Sequence, residues 1–344
     1  MEKSEKIVVG ISIGDVNGIG IEVILKTFED KRMLDFCTPV IFGSTKTISF
    51  HKKKLNVTAH INGVMSIKQI VHNKINLVNI WKEEIPIELG TPTKISGEFA
   101  FKSLEAATNH LKEGTVDVLL TAPINKENIQ SDTFNFPGHT EFLADKLEGE
   151  SLMILMSDSL RVGLITGHIP VSKISENITP ELIEKKVAIM HKSLIEDFGI
   201  NKPKIAVLGL NPHCGDNGVI GSEDDEIIKP TIAKIQESGK VIFGPYAADG
   251  FFGSNNYKQF DGILAMYHDQ GLAPFKALSF GNGVNYTAGL SKIRTSPDHG
   301  TAYEIAGKNT ADATSFKTAL FSALEIFKKR SEYKKLTHNP LAVK

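Results

Sequence analysis

The sequence predicts a doubly wound α/β protein. Short runs rich in Val and Ile recur along the chain without the polar alternation of a half-solvated strand, so both faces of each strand must be covered, as in a parallel sheet. Segments with helical periodicity lie between these runs, the alternation from which such sheets are built. Several runs end in polar, glycine-rich residues, which is where open α/β sheets bind their ligands.

The first expected strand, 6–12, runs into GDVNGIGIEVI, where Gly14, Gly18 and Gly20 lead to a helix beginning near Ile21. A turn of this kind offers backbone N–H groups to an anion or diphosphate, making Gly14, Asp15, Gly18 and Gly20 candidate cofactor-binding residues. A tight strand-to-helix turn with Asp15 as its cap describes the same residues equally well. As a dinucleotide fingerprint it is incomplete: Val23 stands at the third glycine position, and no acidic residue ends a clear second strand about 20 residues on.

After a second run, 116–121, the segment FPGHTEFLADKL places Gly138, His139 and Thr140 before a helix with Glu141 in its first turn. His139 and Thr140 are candidate donors to a phosphate or carboxylate there, with a plain Thr cap as the competing account. Runs 160–166, 204–210 and 260–266 complete the expected strands. Thr179 and Pro180 open a helix whose apolar stripe is Ile183, Val187, Met190 and Leu194, closed by Gly199. Ser222 caps the next, with Glu223, Asp224 and Asp225 placed favourably for the helix dipole and Gly239 just past its end. The stretch 267–307 reads as long, polar and functional rather than as a plain connector. Its Lys276, Asn285 and Arg294 supply two cations and an amide suited to a phosphorylated, carboxylated substrate. Gly281, Gly283 and Gly289 permit close backbone approach, and Asp298, His299 and Gly300 read as a capped start. A last helix, 311–330, is expected to pack back on the first subdomain.

A chain of 344 residues, 41% hydrophobic, buries a large core and is expected to form two subdomains. Lys and Arg total 39 against 40 Asp and Glu, so no basic field attracts nucleic acid or anionic membrane, and an anionic substrate has to be caught locally. Cys37 and Cys214 form no CxxC pair, which points to a reducing compartment, and Cys214 reads as a small buried thiol. The opening MEKSEKIVVGISIGD lacks a signal-peptide pattern and no run is long enough to span a bilayer, so a cytoplasmic location is expected.

His168, His213 and His268 each lie just past one of the later strand runs, LRVGLIT, KIAVLGL and FDGILAM. Singly, each is more simply a hydrogen-bonded structural histidine. The repeated placement, followed each time by polar and glycine-rich residues, makes them candidate ligands of one divalent cation. Three neutral imidazoles leave coordination positions for substrate, and they suit zinc, cobalt or manganese better than magnesium. Asp249, in GPYAADG, is a candidate to orient a ligand or relay a proton, with a loop cap as the simpler account. Asp269 adjoins His268 and is placed to orient it.

Six ordered motifs run nearly end to end: GDxxGIGxE at 14–22, TAPINK at 121–126, GHTEF at 138–142, NPHxG at 211–215, MYHDQG at 266–271 and IRTSPDHGTA at 293–302. With them the chain resembles the 4-hydroxythreonine-4-phosphate dehydrogenase family of pyridoxal phosphate biosynthesis, PdxA. The resemblance implies an isocitrate/isopropylmalate dehydrogenase-like fold, two α/β/α subdomains with a cleft between them. These would comprise 1–130 with 305–344, and 131–304 carrying the metal ligands and dimer interface. It implies a homodimer whose divalent metal (zinc, cobalt, manganese or magnesium) is held by His168, His213 and His268 in a site shared between subunits. It also implies substrate contacts at His139, Thr140, Lys276, Asn285 and Arg294, with NAD, or NADP in its place, as hydride acceptor. Lys276 and Asp249 are the candidate catalytic groups. Where the family usually reads GDPAG and GPE, this chain has GDVNG and GIE, which alters Val16, Asn17 and Ile21.

The expected reaction is metal-assisted oxidation of 4-phosphohydroxy-L-threonine to 2-amino-3-oxo-4-phosphonooxybutanoate, which decarboxylates to 3-amino-2-oxopropyl phosphate. One alternative is a related dehydrogenase of 4-phospho-D-erythronate or threonate. Another is a metal-dependent phosphatase using the same histidines to activate water. An acyltransferase or a non-catalytic binding protein fits less well with three histidines alongside Lys276 and Arg294.

Overall fold

The computed structural model of the chain describes residues 6–279 and 281–339. Twelve strands lie among them: β1 (Val8–Ser12), β2 (Thr38–Gly43), β3 (Ile61–Val64), β4 (Ile75–Asn79), β5 (Val118–Thr121), β6 (Gly149–Met156), β7 (Arg161–Leu164), β8 (Ile205–Leu208), β9 (Ile242–Tyr246), β10 (Gly262–Ala265), β11 (Val284–Leu290) and β12 (Ile293–Pro297). Helices separate most of them, so the class is α/β as expected.

Two compact units result. The first takes the chain up to Glu148 together with Ser291–Phe327, and the second takes Gly149–Leu290 together with the chain from Lys328. The expected crossings near 130 and 304 therefore move, for identifiable reasons. Phe134 and Phe142 pack on Phe101 of the long helix Lys94–Glu113, with ring centroids 5.4 and 5.8 Å away, which keeps 131–148 in the first unit. Strand β12 pairs with β5, Ile293 opposite Val118, which keeps 291–304 there too. The last helix, Thr314–Thr337, is divided between the units. Its Arg330 donates to Asp197 Oδ1 at 2.7 Å and to the Tyr286 hydroxyl at 2.9 Å in the second unit. Tyr286 donates in turn to Asp197 Oδ2, completing a buried polar network that a helix packed only on the first unit could not make.

In the first unit the strand order is β3-β4-β2-β1-β5-β12, parallel throughout. Strands β2 and β5 are buried at every residue, which is why their sequences carry no polar alternation. In the second the order is β11-β6-β7-β10-β8-β9, with β6 antiparallel to both neighbours and the remaining pairs parallel. Strand β10 lies between β7 and β8, Ile263 opposing Val162 on one side and Ala206 on the other. The helix Pro180–Glu196 is capped by Thr179 and buries Ile183, Val187, Met190 and Leu194, as its pattern predicts.

The stretch 267–307 is not the long loop its polarity indicated. It folds into the helix His268–Leu278, then β11 and β12. Several of its polar residues, Thr287 and Arg294 among them, are buried inside the sheet, so composition concealed the strands. Asp298, His299 and Gly300 start no helix; a single short turn follows at Tyr303–Ile305. No helix among the described residues is long and apolar enough to cross a membrane.

The helix Thr45–Leu55 buries His51, which is 2% exposed, bonded to the Val16 carbonyl, and left with Nε2 lacking a hydrogen-bond partner. Burial pushes its pKa down to about 4, against 6.5 for a free histidine. Between those values the unfolded chain binds a proton that the folded chain does not, so stability falls as pH is lowered through this window, by up to roughly 3 kcal/mol. Urea unfolding from pH 7 to pH 4.5 should show this slope, and His51→Leu should flatten it. An unchanged slope would contradict the assignment.

Candidate functional site

The glycine-rich turn after β1 is held by close internal approach. A Cβ on Gly14, whose φ is +67°, would lie 2.2 Å from the Pro123 carbonyl oxygen; one on Gly20 would lie 2.5 Å from that of Ile13, and one on Gly18 2.8 Å from that of Thr301. All three glycines are thus required by neighbouring backbone. Asp15 is wholly buried: Oδ1 accepts the Asn17 N–H at 2.8 Å, and Oδ2 accepts from Ser96 Oγ, Asn128 Nδ2 and Tyr303 Oη at 3.0, 2.8 and 2.8 Å. Burial and this charge raise the Tyr303 pKa, keeping its hydroxyl a donor. Its carboxylate thus points into the fold and is saturated there. Asp15 is not a helix cap: the helix Gly20–Glu29 begins after Ile19 with no side-chain cap. Asn17 stitches the turn to the segment after β4, accepting the Glu88 N–H and donating to the Thr91 carbonyl, both at 2.8–2.9 Å.

A second cluster in the first unit gathers charge at the carboxyl ends of β5 and the start of the helix His139–Lys146. Arg294, on β12, is 2% exposed and donates through Nε and Nη2 to Thr121 Oγ1 at 3.0 and 2.7 Å. Burial lowers its pKa to about 9, opposed by the charge of Glu141. His139 is driven well below the ordinary histidine range by burial first and then by Arg294 and Lys126, so its imidazole is neutral at neutral pH. Its Nε2 is buried without a hydrogen-bond partner. Thr140 is 9% exposed and caps nothing, since Gly138 holds the N-cap position. A buried guanidinium beside an unsatisfied neutral imidazole is a receptor for a small anion.

In the second unit β7, β10 and β8 end side by side, and side chains tie their following loops together. Thr166 Oγ1 donates to the Met266 carbonyl at 2.6 Å, and Gln270 Nε2 donates to that of Gly209 at 2.6 Å. His168 and His268 come together, with ring centroids 5.4 Å apart and tilted by 44°. Two imidazoles bound to one tetrahedral ion through bonds of about 2.0–2.1 Å have centroids roughly 5 Å apart, so the pair fits adjacent positions on one cation. Asp269 Oδ1 lies 2.6 Å from His268 Nδ1, which orients the ring and engages that nitrogen rather than Nε2.

His213 does not join them: among the described residues no group of three or more His, Cys, Asp or Glu side chains is gathered to hold a metal. Residues 213–218, His213, Cys214, Gly215, Asp216, Asn217 and Gly218, all have positive φ, from 44° to 88°. Such a conformation costs on the order of 1–2 kcal/mol for each L residue, so the surroundings must enforce it.

Asp249 is exposed, in the first turn of the helix Ala248–Gly253, and its charge helps raise the Cys214 pKa. Lys276 is exposed in the last turn of its helix, and Asn285 on β11 is half-buried with Oδ1 lacking a hydrogen-bond partner.

Residues 35–323 match the family described as pyridoxal phosphate biosynthetic protein PdxA. The chain is 51% identical over 341 residues to the 4-hydroxythreonine-4-phosphate dehydrogenase of Bacteroides thetaiotaomicron, covering 98% of this chain and 94% of that one. This chain belongs to the PdxA family. The solved structure of the Klebsiella pneumoniae 4-hydroxythreonine-4-phosphate dehydrogenase aligns with a TM-score of 0.80 at 32% identity, covering 95% of this chain and 99% of that one. A protein of Oceanobacillus iheyensis, provisionally named a D-threonate 4-phosphate dehydrogenase, is 37% identical over 328 residues, covering 94% of this chain and 98% of that one.

Thr121, Lys126 and Glu141 were quoted within two PdxA motifs but given no role by sequence. Their signal was the charge and hydroxyl content of TAPINK and GHTEF; the meeting of Thr121 and Glu141 with Arg294, and of Lys126 with His139, needed the fold. Arg294→Lys in this PdxA member keeps the charge but loses the paired geometry, and should raise KM for a phosphorylated substrate by about 10–100-fold in steady-state assays, with a smaller change in kcat. An unchanged KM would remove Arg294 from the anion site.

Proposed function

We propose that this chain oxidises 4-phosphohydroxy-L-threonine with NAD, or NADP in its place, to 2-amino-3-oxo-4-phosphonooxybutanoate, which loses carbon dioxide to give 3-amino-2-oxopropyl phosphate. The observation that carries the reading is the His168–His268 pair, spaced for one cation and oriented by Asp269. Membership of a family whose relatives are named as dehydrogenases of this substrate supports the oxidoreductase class.

The substrate's anionic end falls to Arg294, His139 and Thr140, with Lys276 and Asn285 as further contacts. Neutral His139 donates a hydrogen bond without adding charge, and burial of Arg294 strengthens its pull on an oxyanion. When bound, a divalent cation such as zinc, cobalt, manganese or magnesium lowers the pKa of the reacting hydroxyl and stabilises the enolate of decarboxylation, while the nicotinamide takes the hydride. His168 and His268 hold that cation. His213, separated from them in its own chain, serves the pair of a second copy, making the working unit a homodimer with shared sites. Lys276 and Asp249 are the candidates for moving the hydroxyl proton. The backbone of Gly14, Gly18 and Gly20 is assigned to the dinucleotide. Unpaired Cys37 and Cys214 agree with a reducing, cytoplasmic setting.

A second reading, a dehydrogenase of a four-carbon sugar-acid phosphate, is favoured by the likeness to the Oceanobacillus protein. Absorbance at 340 nm with 4-phosphohydroxy-L-threonine, 4-phospho-D-erythronate and a chelator-treated control separates the two. Chelator-sensitive NADH formation preferring the amino acid is expected. Preference for the erythronate would change the substrate, and no NADH with either would overturn the dehydrogenase.

A further inference from the structure

Two carboxylates outside the ligand set reach into the loop that carries His213. Asp224, wholly buried, accepts the backbone N–H groups of Leu210 and Asn211 at 2.9 Å each and the Asn211 side-chain amide at 3.0 Å. Glu223 accepts that same amide at 2.8 Å through Oε2, and the Ser175 hydroxyl at 2.5 Å through Oε1. Ser175 lies in the segment that follows His168, so Glu223 ties together the two loops leaving β7 and β8.

The surrounding backbone is shaped for these contacts. A Cβ on Gly209 would lie 2.7 Å from Asp224 Oδ1 and 2.8 Å from Cys214 Sγ, and one on Gly221 would lie 2.7 Å from Asn211 Nδ2. The wide turn Asp224–Ile228, closed by the Lys229 N–H on the Asp224 carbonyl, carries the acid at its head. Ser222 makes no side-chain cap here, and the acids face the His213 loop instead of only completing a helix start.

We infer that Asp224 and Glu223 are positioning residues for His213: by fixing Leu210 and Asn211 immediately before the left-handed run 213–218, they set the direction in which the imidazole leaves the strand end. The inference rests on the reading of His213 as a metal ligand, and it assigns the cost of the strained turn to a purpose, since a loop released from the two carboxylates would relax away from positive φ.

Cobalt(II) titration of metal-stripped full-length protein, followed by visible absorption without substrate, tests it. His213→Ala should abolish the high-affinity spectrum. Asp224→Asn, which places an amide against two N–H donors, should weaken cobalt binding by about 10–100-fold with an unchanged far-UV spectrum, and Glu223→Gln should weaken it by several-fold. If Asp224→Asn does not fold, Glu223→Gln carries the test alone. Native cobalt affinity in the folded carboxylate variants, with binding lost in His213→Ala, would overturn the positioning role and leave the ligand reading intact. Native affinity in His213→Ala would overturn both.

Discussion

Parallel pairing of β10 with β7 on one side and β8 on the other is the constraint from which the site follows. Parallel strands bring all their carboxyl ends to one edge, so residues distant in sequence leave the sheet as neighbours. Three of those exits carry a histidine, and the bonds from Thr166 to Met266 and from Gln270 to Gly209 hold the exits in fixed relation. Side chains leaving those exits inherit the rigidity of the sheet without being close in sequence.

The first unit meets a different requirement, that of holding a guanidinium out of water. Arg294 emerges from β12, donates through Nε and Nη2 to the Thr121 hydroxyl, and feels the charge of Glu141. Nearby, the buried carboxylate of Asp15 has four neutral donors. Similar burial thus has two outcomes: Asp15 is saturated by its donors, and His139 Nε2 is left without a hydrogen-bond partner.

Strands β5, β7, β8 and β10 were legible because each is apolar on both faces, and the helix from Pro180 because its cap and stripe agree. Strands β11 and β12 were hidden by Thr287, Tyr286 and Arg294, polar residues whose partners are supplied only by distant chain. The placement of His168 and His268 could be read from sequence because it depends on strand ends alone. The positive φ values of 213–218 could not, since nothing in the pattern of His213 and its neighbours announces them. The surroundings of Asp15 were hidden in the same way, since Ser96, Asn128 and Tyr303 reach it from distant chain.

The central claim is that one cation is held by imidazoles from two copies of the chain. Its most direct test is complementation between His213→Ala and His268→Ala, each inactive alone, co-refolded in equal amounts and assayed for NADH formation. Shared sites predict recovery of about a quarter of the native rate, since half the dimers are mixed and each mixed dimer has one intact site. No recovery from stable mixed dimers would contradict the account and return all three ligands to a single chain.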